Sequence, residues 1–279
     1  MERVLITGSS GFIGSAIKSK LLNLGYEVWE LNRNRTKGKY LIKGDLLNIK
    51  SFNNTIEKIE KFSFLIHCAA KAHSKFFDSK TDLYNKNILI TKNVLTLFQK
   101  KVNHFIFTSS VAVYGEDSRN SLINTDSSLR PSTLYGQSKL ECENLLKNSG
   151  IKNYTILRLT PVFDSDHMFD IKKRVYLPLL KSIKFKIKPA PKYSFANIET
   201  VADEIVKVIV DNKLGKNIKN ISDKNLYYQN ILANKFEGNS INISINFFKI
   251  LYFLSFIMPN KRGYKIRCAL WKVFKNNIY

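Results

Sequence analysis

Apolar positions alternate between two periods through the first half of the chain. Val4, Leu5 and Ile6 make a short continuous run, and residues 3–7 read as a strand. Over residues 11–24, Phe12, Ile13, Ala16, Ile17, Leu21 and Leu24 share one helical face, and Gly25 stands where a helix closes. The rhythm then repeats. Strands are expected at 26–31, 40–43, 62–67, 104–108 and 154–159. Helices are expected at 48–61, 82–101 and 134–148. This βαβα succession predicts an α/β chain with a doubly wound parallel sheet. Right-handed crossovers place the carboxyl ends of the strands, and with them a site, on one edge.

After Thr160 the rhythm weakens. Pro161, Pro178, Pro189 and Pro191 interrupt it. Residues 195–198 suit one more strand, and 200–211 a helix that buries Val201, Ile205, Val208 and Ile209. The expected organisation is a first domain of residues 1–160, joined by a return of 193–212. A smaller C-terminal lobe would comprise 161–192 and 213–279. No internal repeat or flexible interdomain linker is evident.

The 279 residues are 44% hydrophobic, enough for a buried core, which excludes a wholly disordered chain. Lys and Arg total 45 against 22 Asp and Glu, a formal charge of +23. Two readings stand: an anionic partner, or a compositional bias toward Lys, Asn and Ile. Cys68, Cys142 and Cys268 lie far apart, so neither a zinc site nor a disulfide framework is expected, and no metal. No signal peptide and no run long enough to cross a bilayer is seen, which points to a reducing, cytoplasmic setting.

Three motifs carry chemistry. Gly8-Ser9-Ser10-Gly11-Phe12-Ile13-Gly14 follows the first strand and opens the first helix. Its glycines allow a tight turn and close backbone approach, and the helix N-terminus offers N–H groups to a pyrophosphate. The second strand ends in Glu30-Leu31-Asn32-Arg33-Asn34-Arg35. Asn32 takes the slot where an NAD binder places a carboxylate, and Arg33 follows it. That favours NADP over NAD, the alternative reading being a solvated loop of Arg33, Arg35 and Lys37. Glu30 is expected to point into the sheet's surroundings, away from the ribose. Tyr135 and Lys139 are four residues apart on one helical face, and an ammonium beside a phenol stabilises phenolate. Just upstream, Thr108-Ser109-Ser110 brings hydroxyls to the end of a strand.

In this order the motifs resemble the extended short-chain dehydrogenase/reductase family, in particular its nucleotide-sugar epimerases, dehydratases and reductases. The resemblance covers residues 3–210. It rests on residues 7–14, Gly44-Asp45-Leu46, His67-Cys68-Ala69-Ala70, Asn87, residues 108–115, residues 135–139 and Leu157-Arg158. It implies a Rossmann sheet with a smaller C-terminal substrate lobe, and a catalytic set of Ser110, Tyr135 and Lys139. Tyr135 would be the acid/base, Lys139 would also hold the nicotinamide ribose, and Ser110 would orient the substrate oxygen, with Val111 beside it. Gly8, Gly11, Phe12, Ile13, Gly14, Asn32 and Arg33 would hold the dinucleotide. Asp45 and Leu46 would touch the adenine, and Ala69 and Ala70 would line the cofactor by their backbone. Asn87, Thr108, Pro161 and Val162 would complete that surface. A turn cap is the other reading of Asp45, and a loop histidine the reading of His73.

The chain also departs from the family. Dehydratases carry Asp-Glu after the Ser or Thr of the catalytic set, whereas Val111-Ala112 follows Ser110. Epimerases usually carry Asn where Thr160-Pro161-Val162-Phe163 stands, and their Gly-Pro-Gly turn is missing. The expected activity is therefore a 4-keto-sugar reductase in polysaccharide precursor synthesis, ahead of a 4-epimerase, with a non-catalytic dinucleotide sensor as the distant rival. A nucleotide-sugar substrate and a homodimer built on the helices at 82–101 and 134–148 follow from the resemblance. No nucleic-acid module is seen. Residues 247–258 are strongly apolar and precede a basic, acid-free C-terminus. Either this run packs into the lobe, or it attaches the protein weakly to an anionic membrane face.

Overall fold

Seven parallel strands form the sheet of the first of two units. They belong to a computed structural model that describes residues 2–34, 38–52, 55–71, 80–115, 122–176, 183–258 and 260–279, with the side chains at 80, 81, 260–262 and 265 left aside. Arg35, Lys37 and His73 lie outside the described residues. The first unit comprises Met1–Gly115, Ser128–Leu159 and Ile198–Ile221. Its elements are β1 (Arg3–Thr7), α1 (Phe12–Asn23), β2 (Glu27–Asn32), β3 (Leu41–Lys43), β4 (Phe62–His67), α2 (Lys80–Phe98), β5 (Val102–Ser110), α3 (Leu134–Lys147) and β6 (Tyr154–Leu159). After an excursion into the second unit come α5 (Ile198–Asp211) and β11 (Lys216–Ile221). The sheet order is β11-β6-β5-β4-β1-β2-β3, so the chain winds outward in both directions from β1 and β4.

Near-continuous apolar runs are what strands covered on both faces require. Leu5, Leu65, Phe105, Phe107 and Ile156 meet Ile90, Val94 and Phe98 of α2 and Cys142 and Leu146 of α3 in one core. The alternate positions Val4, Ile6, Phe64, Ile66 and Ile106 are buried too. Helices α1 and α5 pack on each other, burying Ile17, Leu21, Val201 and Ile205. Each such aromatic or branched side chain contributes about 1.5–3 kcal/mol. Gly25 closes α1 at φ +80°, its N–H bonding Leu22 O.

Two expectations are corrected. The described residues of 48–61 form no α-helix. Among the described residues of that range only Ile49–Phe52 form a helix, one 3₁₀ turn, and Ser51 Oγ bonds Asn48 O at 2.6 Å in competition with the backbone. The return segment is 198–221, not 193–212. Lys216–Ile221 pairs in parallel with Tyr154–Leu159 as the seventh strand. Residues 195–198 supply only the two-residue strand at Ala196–Asn197, paired with Val162–Phe163.

The second unit comprises Glu116–Ser127, Thr160–Asn197 and Ser222–Tyr279. It contains β7 (Val162–Phe163), α4 (Phe169–Lys172), β8 (Ile183–Lys188), β9 (Lys192–Tyr193), β10 (Ala196–Asn197), β12 (Tyr227–Tyr228), α6 (Gln229–Asn234), β13 (Asn239–Ser244), α7 (Ile245–Leu254) and α8 (Asn260–Phe274). Short strand pairs replace a sheet here: β7 with β10, β9 with β12, and β8 with β13. Side chains tie them together. Buried Gln229 donates to Arg174 O and Phe185 O and accepts from Ile187 N, all within 3.0 Å. The Arg174 guanidinium lies over the rings of Tyr193 and Phe195.

Candidate active site

At the carboxyl end of β1 the chain turns through Gly8 at φ +75°. A Cβ there would lie 2.7 Å from Ala69 N, so the loop after β4 sits hard against the turn. A Cβ on Gly14 would lie 2.2 Å from Gly8 O, which brings α1 down onto the same turn. Gly11 caps α1 with no side-chain bond of its own. The N-terminal amides of α1 therefore face a backbone cradle fitted to a pyrophosphate. Phe12 and Ile13 open the helix, Ile13 half-buried. The chemistry of this donor set fits a dinucleotide.

β2 delivers two polar side chains on one face. Asn32 Oδ1 accepts from Asn34 N at 2.9 Å, bending the chain away, and Arg33 is exposed in that bend. Glu30 turns to the glycine-rich turn and to α1. Its carboxylate accepts from Ser9 Oγ of the glycine-rich turn and from Lys18 Nζ of α1, both at 2.8 Å. The signal was its spacing: two residues before Asn32, it must share that face.

Behind the cradle, β4 and β5 end in a sealed polar layer. Thr7 Oγ1 lies 2.7 Å from His67 Nδ1, and His67 Nε2 lies 3.1 Å from Thr91 Oγ1. Thr108 Oγ1 donates to His67 O, and Thr108 O accepts from Lys139 Nζ at 2.7 Å. Thr108 thus braces two strands and seats the lysine. Burial, followed by the Lys139 charge, pushes His67 down to about 3. The ring stays neutral and unsuited to proton transfer at neutral pH. Burial also pushes the Cys68 thiol up to about 12.

This shift has a pH consequence. The unfolded ring takes up its proton near 6.5, while the folded one does not until about 3. The unfolded state therefore binds more protons in that window, and stability falls as pH drops through it. The slope from this one group is up to about 1.4 kcal/mol per pH unit. Urea unfolding on either side of pH 6.5 should show a steeper acid loss in wild type than in His67→Asn. Equal slopes would remove His67 from the account.

The remaining expected residues fall into three groups. Ser110 ends β5 half-buried, its Oγ accepting from Ala112 N at 3.2 Å as the cap of a 3₁₀ turn at Val111–Val113. Tyr135 and Lys139 lie in α3, Tyr135 half-buried and Lys139 4% exposed with its ammonium 4.8 Å above the Phe107 ring. A Cβ on Gly136 would lie 2.4 Å from Ala112 O, so α3 packs directly on the turn that Ser110 caps. The structure brings Ser110, Tyr135 and Lys139 onto neighbouring elements of one unit. Asn87 clamps the loop after β4, accepting from Lys71 N and donating to Lys71 O and to Ser138 Oγ. That clamp fixes Lys71, the residue after Ala69 and Ala70, of which Ala69 is half-buried and Ala70 exposed. Asp45 Oδ1 accepts from Leu47 N, as a turn cap does, and Leu46 and Val111 are buried. Pro161 and Val162 belong to the second unit, Val162 in β7.

Sequence reasoning missed one cluster. Glu143, one turn beyond Lys139, takes both fork nitrogens of Arg158 at 3.0 and 2.8 Å and the Ser109 hydroxyl at 2.6 Å. Arg158 donates onward to Tyr114 OH, which donates to Asn220 Oδ1. Glu143 and Arg158 are both buried. The signal was an arginine inside an apolar strand, which needs a buried partner.

The sequence profile of the NAD dependent epimerase/dehydratase family matches residues 4–185, well over half of the chain. The chain belongs to that family, whose members are NAD-dependent epimerases and dehydratases. Ketoreductase azaE of Aspergillus niger is 27% identical over 170 residues, 51% of this chain and 50% of its own. UDP-glucose 4-epimerase of Yersinia pestis is 29% identical over 175 residues, 56% of this chain and 52% of its own. The chain spans about half the length of these curated relatives. The UDP-Glc/GlcNAc 4-epimerase of Campylobacter jejuni superposes at a TM-score of 0.72 with 18% identity, covering 98% of each chain. At that identity the likeness speaks for the fold alone.

Proposed function

We propose that the chain is an NAD(P)-dependent oxidoreductase acting at C4 of a nucleotide sugar, as a 4-keto-sugar reductase in polysaccharide precursor synthesis. The observation that carries this reading is the seating of Lys139. Its ammonium is buried one helical turn from Tyr135 and anchored on Thr108 O, in the strand that ends at Ser110. When bound, the nicotinamide supplies the hydride. Lys139 stabilises negative charge on the phenol, Tyr135 passes its proton to the sugar oxygen, and Ser110 orients that oxygen. The Ser110 hydroxyl accepts its bond from Ala112 N, which leaves its own hydrogen to be donated to the sugar oxygen. Gly8, Gly11 and Gly14 would hold the pyrophosphate. Val111-Ala112 in place of an acidic pair argues against dehydration.

The second reading is a 4-epimerase, favoured by the relative from Yersinia pestis that carries that name. A panel of 4-keto and 4-hydroxy nucleotide sugars with each reduced and oxidised cofactor separates the two. Stoichiometric consumption of reduced cofactor on a 4-keto sugar is expected. Interconversion of 4-hydroxy epimers without net cofactor change would replace the reductase reading, and no turnover on any member would end both.

NADPH is the proposed donor. Glu30 already has Lys18 as its counter-ion, while Asn32 is neutral, which leaves Arg33 as the added charge at the end of β2. Arg33→Ala should weaken NADPH binding by about ten- to hundredfold, the worth of a charge-assisted bond, and leave NADH unchanged. A wild-type preference for NADH, untouched by the substitution, refutes it.

A homodimer through α2 and α3 is proposed as well. Both helices carry exposed leucines, Leu89 and Leu134. Light scattering should return twice the chain mass, and a monomer mass at micromolar concentration counts against it.

A further inference from the structure

The hairpin of α7 and α8 leaves a large apolar face uncovered. One side of α7 is anchored in the second unit. Phe248 packs on Phe185 at 5.5 Å between ring centroids, and Tyr252 on Phe274 at 5.6 Å. The hairpin itself is tightly closed. A Cβ on Gly263 would lie 2.4 Å from Met258 O, and Arg267 donates to Ser255 O at 2.8 Å while stacking on Phe256. At 100° per residue, Phe247, Ile250, Phe253 and Leu254 fall on the side of α7 opposite Phe248 and Tyr252. With Phe256 and Ile257 in the following turn, these side chains are 51–77% exposed. Such a contiguous apolar surface marks a contact with something other than water.

The charge of this C-terminal segment names the occupant. From Ile245 to Tyr279 there is no Asp or Glu, against seven cations: Lys249, Lys261, Arg262, Lys265, Arg267, Lys272 and Lys275. A second copy docking face to face would bring together two such cationic, acid-free segments. An anionic lipid surface satisfies both features, apolar side chains entering at the acyl boundary and cations meeting the headgroup phosphates. With 10 residues, α7 reaches about 15 Å, half a hydrocarbon core, and no helix of the described residues is long and apolar enough to cross a membrane.

We infer that the α7–α8 hairpin is a membrane-surface anchor, lying in the plane of an anionic bilayer through the exposed face of α7. This holds whatever reaction the first unit performs. The test is sedimentation of the full chain with vesicles of phosphatidylglycerol and phosphatidylcholine, or of phosphatidylcholine alone. Binding is expected to the anionic vesicles at low salt and to fall as salt is raised. A Phe253→Ser/Ile257→Ser double variant should bind about tenfold more weakly, with its circular dichroism and mass unchanged. A Lys249→Glu/Lys272→Glu variant, which leaves the apolar face intact, should weaken binding to a similar degree. No binding to anionic vesicles, or equal binding to neutral ones, overturns the inference. So does a fall in mass of the serine variant by light scattering without vesicle binding, since the face would then join two copies of the chain.

Discussion

Replacing Tyr135 with phenylalanine is expected to cut turnover by about 10²–10⁴-fold while cofactor binding persists, the usual worth of a positioned proton donor. The expectation rests on how narrowly this part of the chain is built. Thr133 caps α3 through Gly136 N, so the helix begins right before the tyrosine. Gly136 lets that first turn sit against the Ser110 turn. Lys139, a turn later, is withdrawn from water and bonded to Thr108 O. Among the described residues, two other titratable groups at the end of β4 are unfitted for the proton. His67 is held neutral by burial, and Cys68 is held protonated by burial. Phenylalanine keeps the ring and removes only the hydroxyl that carries the proton. Single-turnover kinetics and cofactor titration on the same preparation check the split, and near-wild-type turnover would end the assignment of Tyr135.

How far the sequence disclosed all this depended on whether each feature was local. β1, β4 and β6 stand where their apolar runs placed them, and α1 and α3 begin at the glycine-rich turn and at Thr133. The glycine-rich turn and the Tyr135–Lys139 spacing are local, and were legible. The 3₁₀ turn at Ile49–Phe52 was not, because Asn48 and Ser51 spend their polar groups on the turn. β11 was missed because its Lys and Asn positions carry little apolar signal, and only its pairing with β6 makes it a strand. In the second unit β7, β9, β10 and β12 are two residues long, too short to show any period, whereas β8 alternates as Ile-Lys-Phe-Lys-Ile-Lys and was legible. Glu30 was legible in its face, by its spacing from Asn32, but not in its partners, since Ser9 and Lys18 come from two other elements.

The buried pair of Glu143 and Arg158 leads to the last expectation, a loss of stability on truncating the arginine. Both charges are withdrawn from water, and both oxygens of the carboxylate are used. Arg158→Ala would leave Glu143 buried with its main counter-ion gone, and removing one partner of such a pair typically costs about 3–5 kcal/mol. Lys147, 3.6 Å from Glu143 and partly exposed, should hold the loss toward the lower figure. The network is also what fixes α3 against β5 and β6. Ser109 bonds Glu143 from the residue before Ser110, and Glu143 follows Lys139 by one turn. Arg158→Ala should therefore lower turnover as well as stability. Glu143→Leu/Arg158→Leu removes both charges and restores apolar packing. It is expected to recover most of the stability, since a buried ion pair adds little over well-packed apolar side chains of similar volume. Turnover should recover less, because Ser109 has lost its carboxylate. Urea unfolding and steady-state rates on the three proteins check this together. An Arg158→Ala chain as stable as wild type, or a double variant no better than the single one, would mean the ion pair does not hold α3 in place.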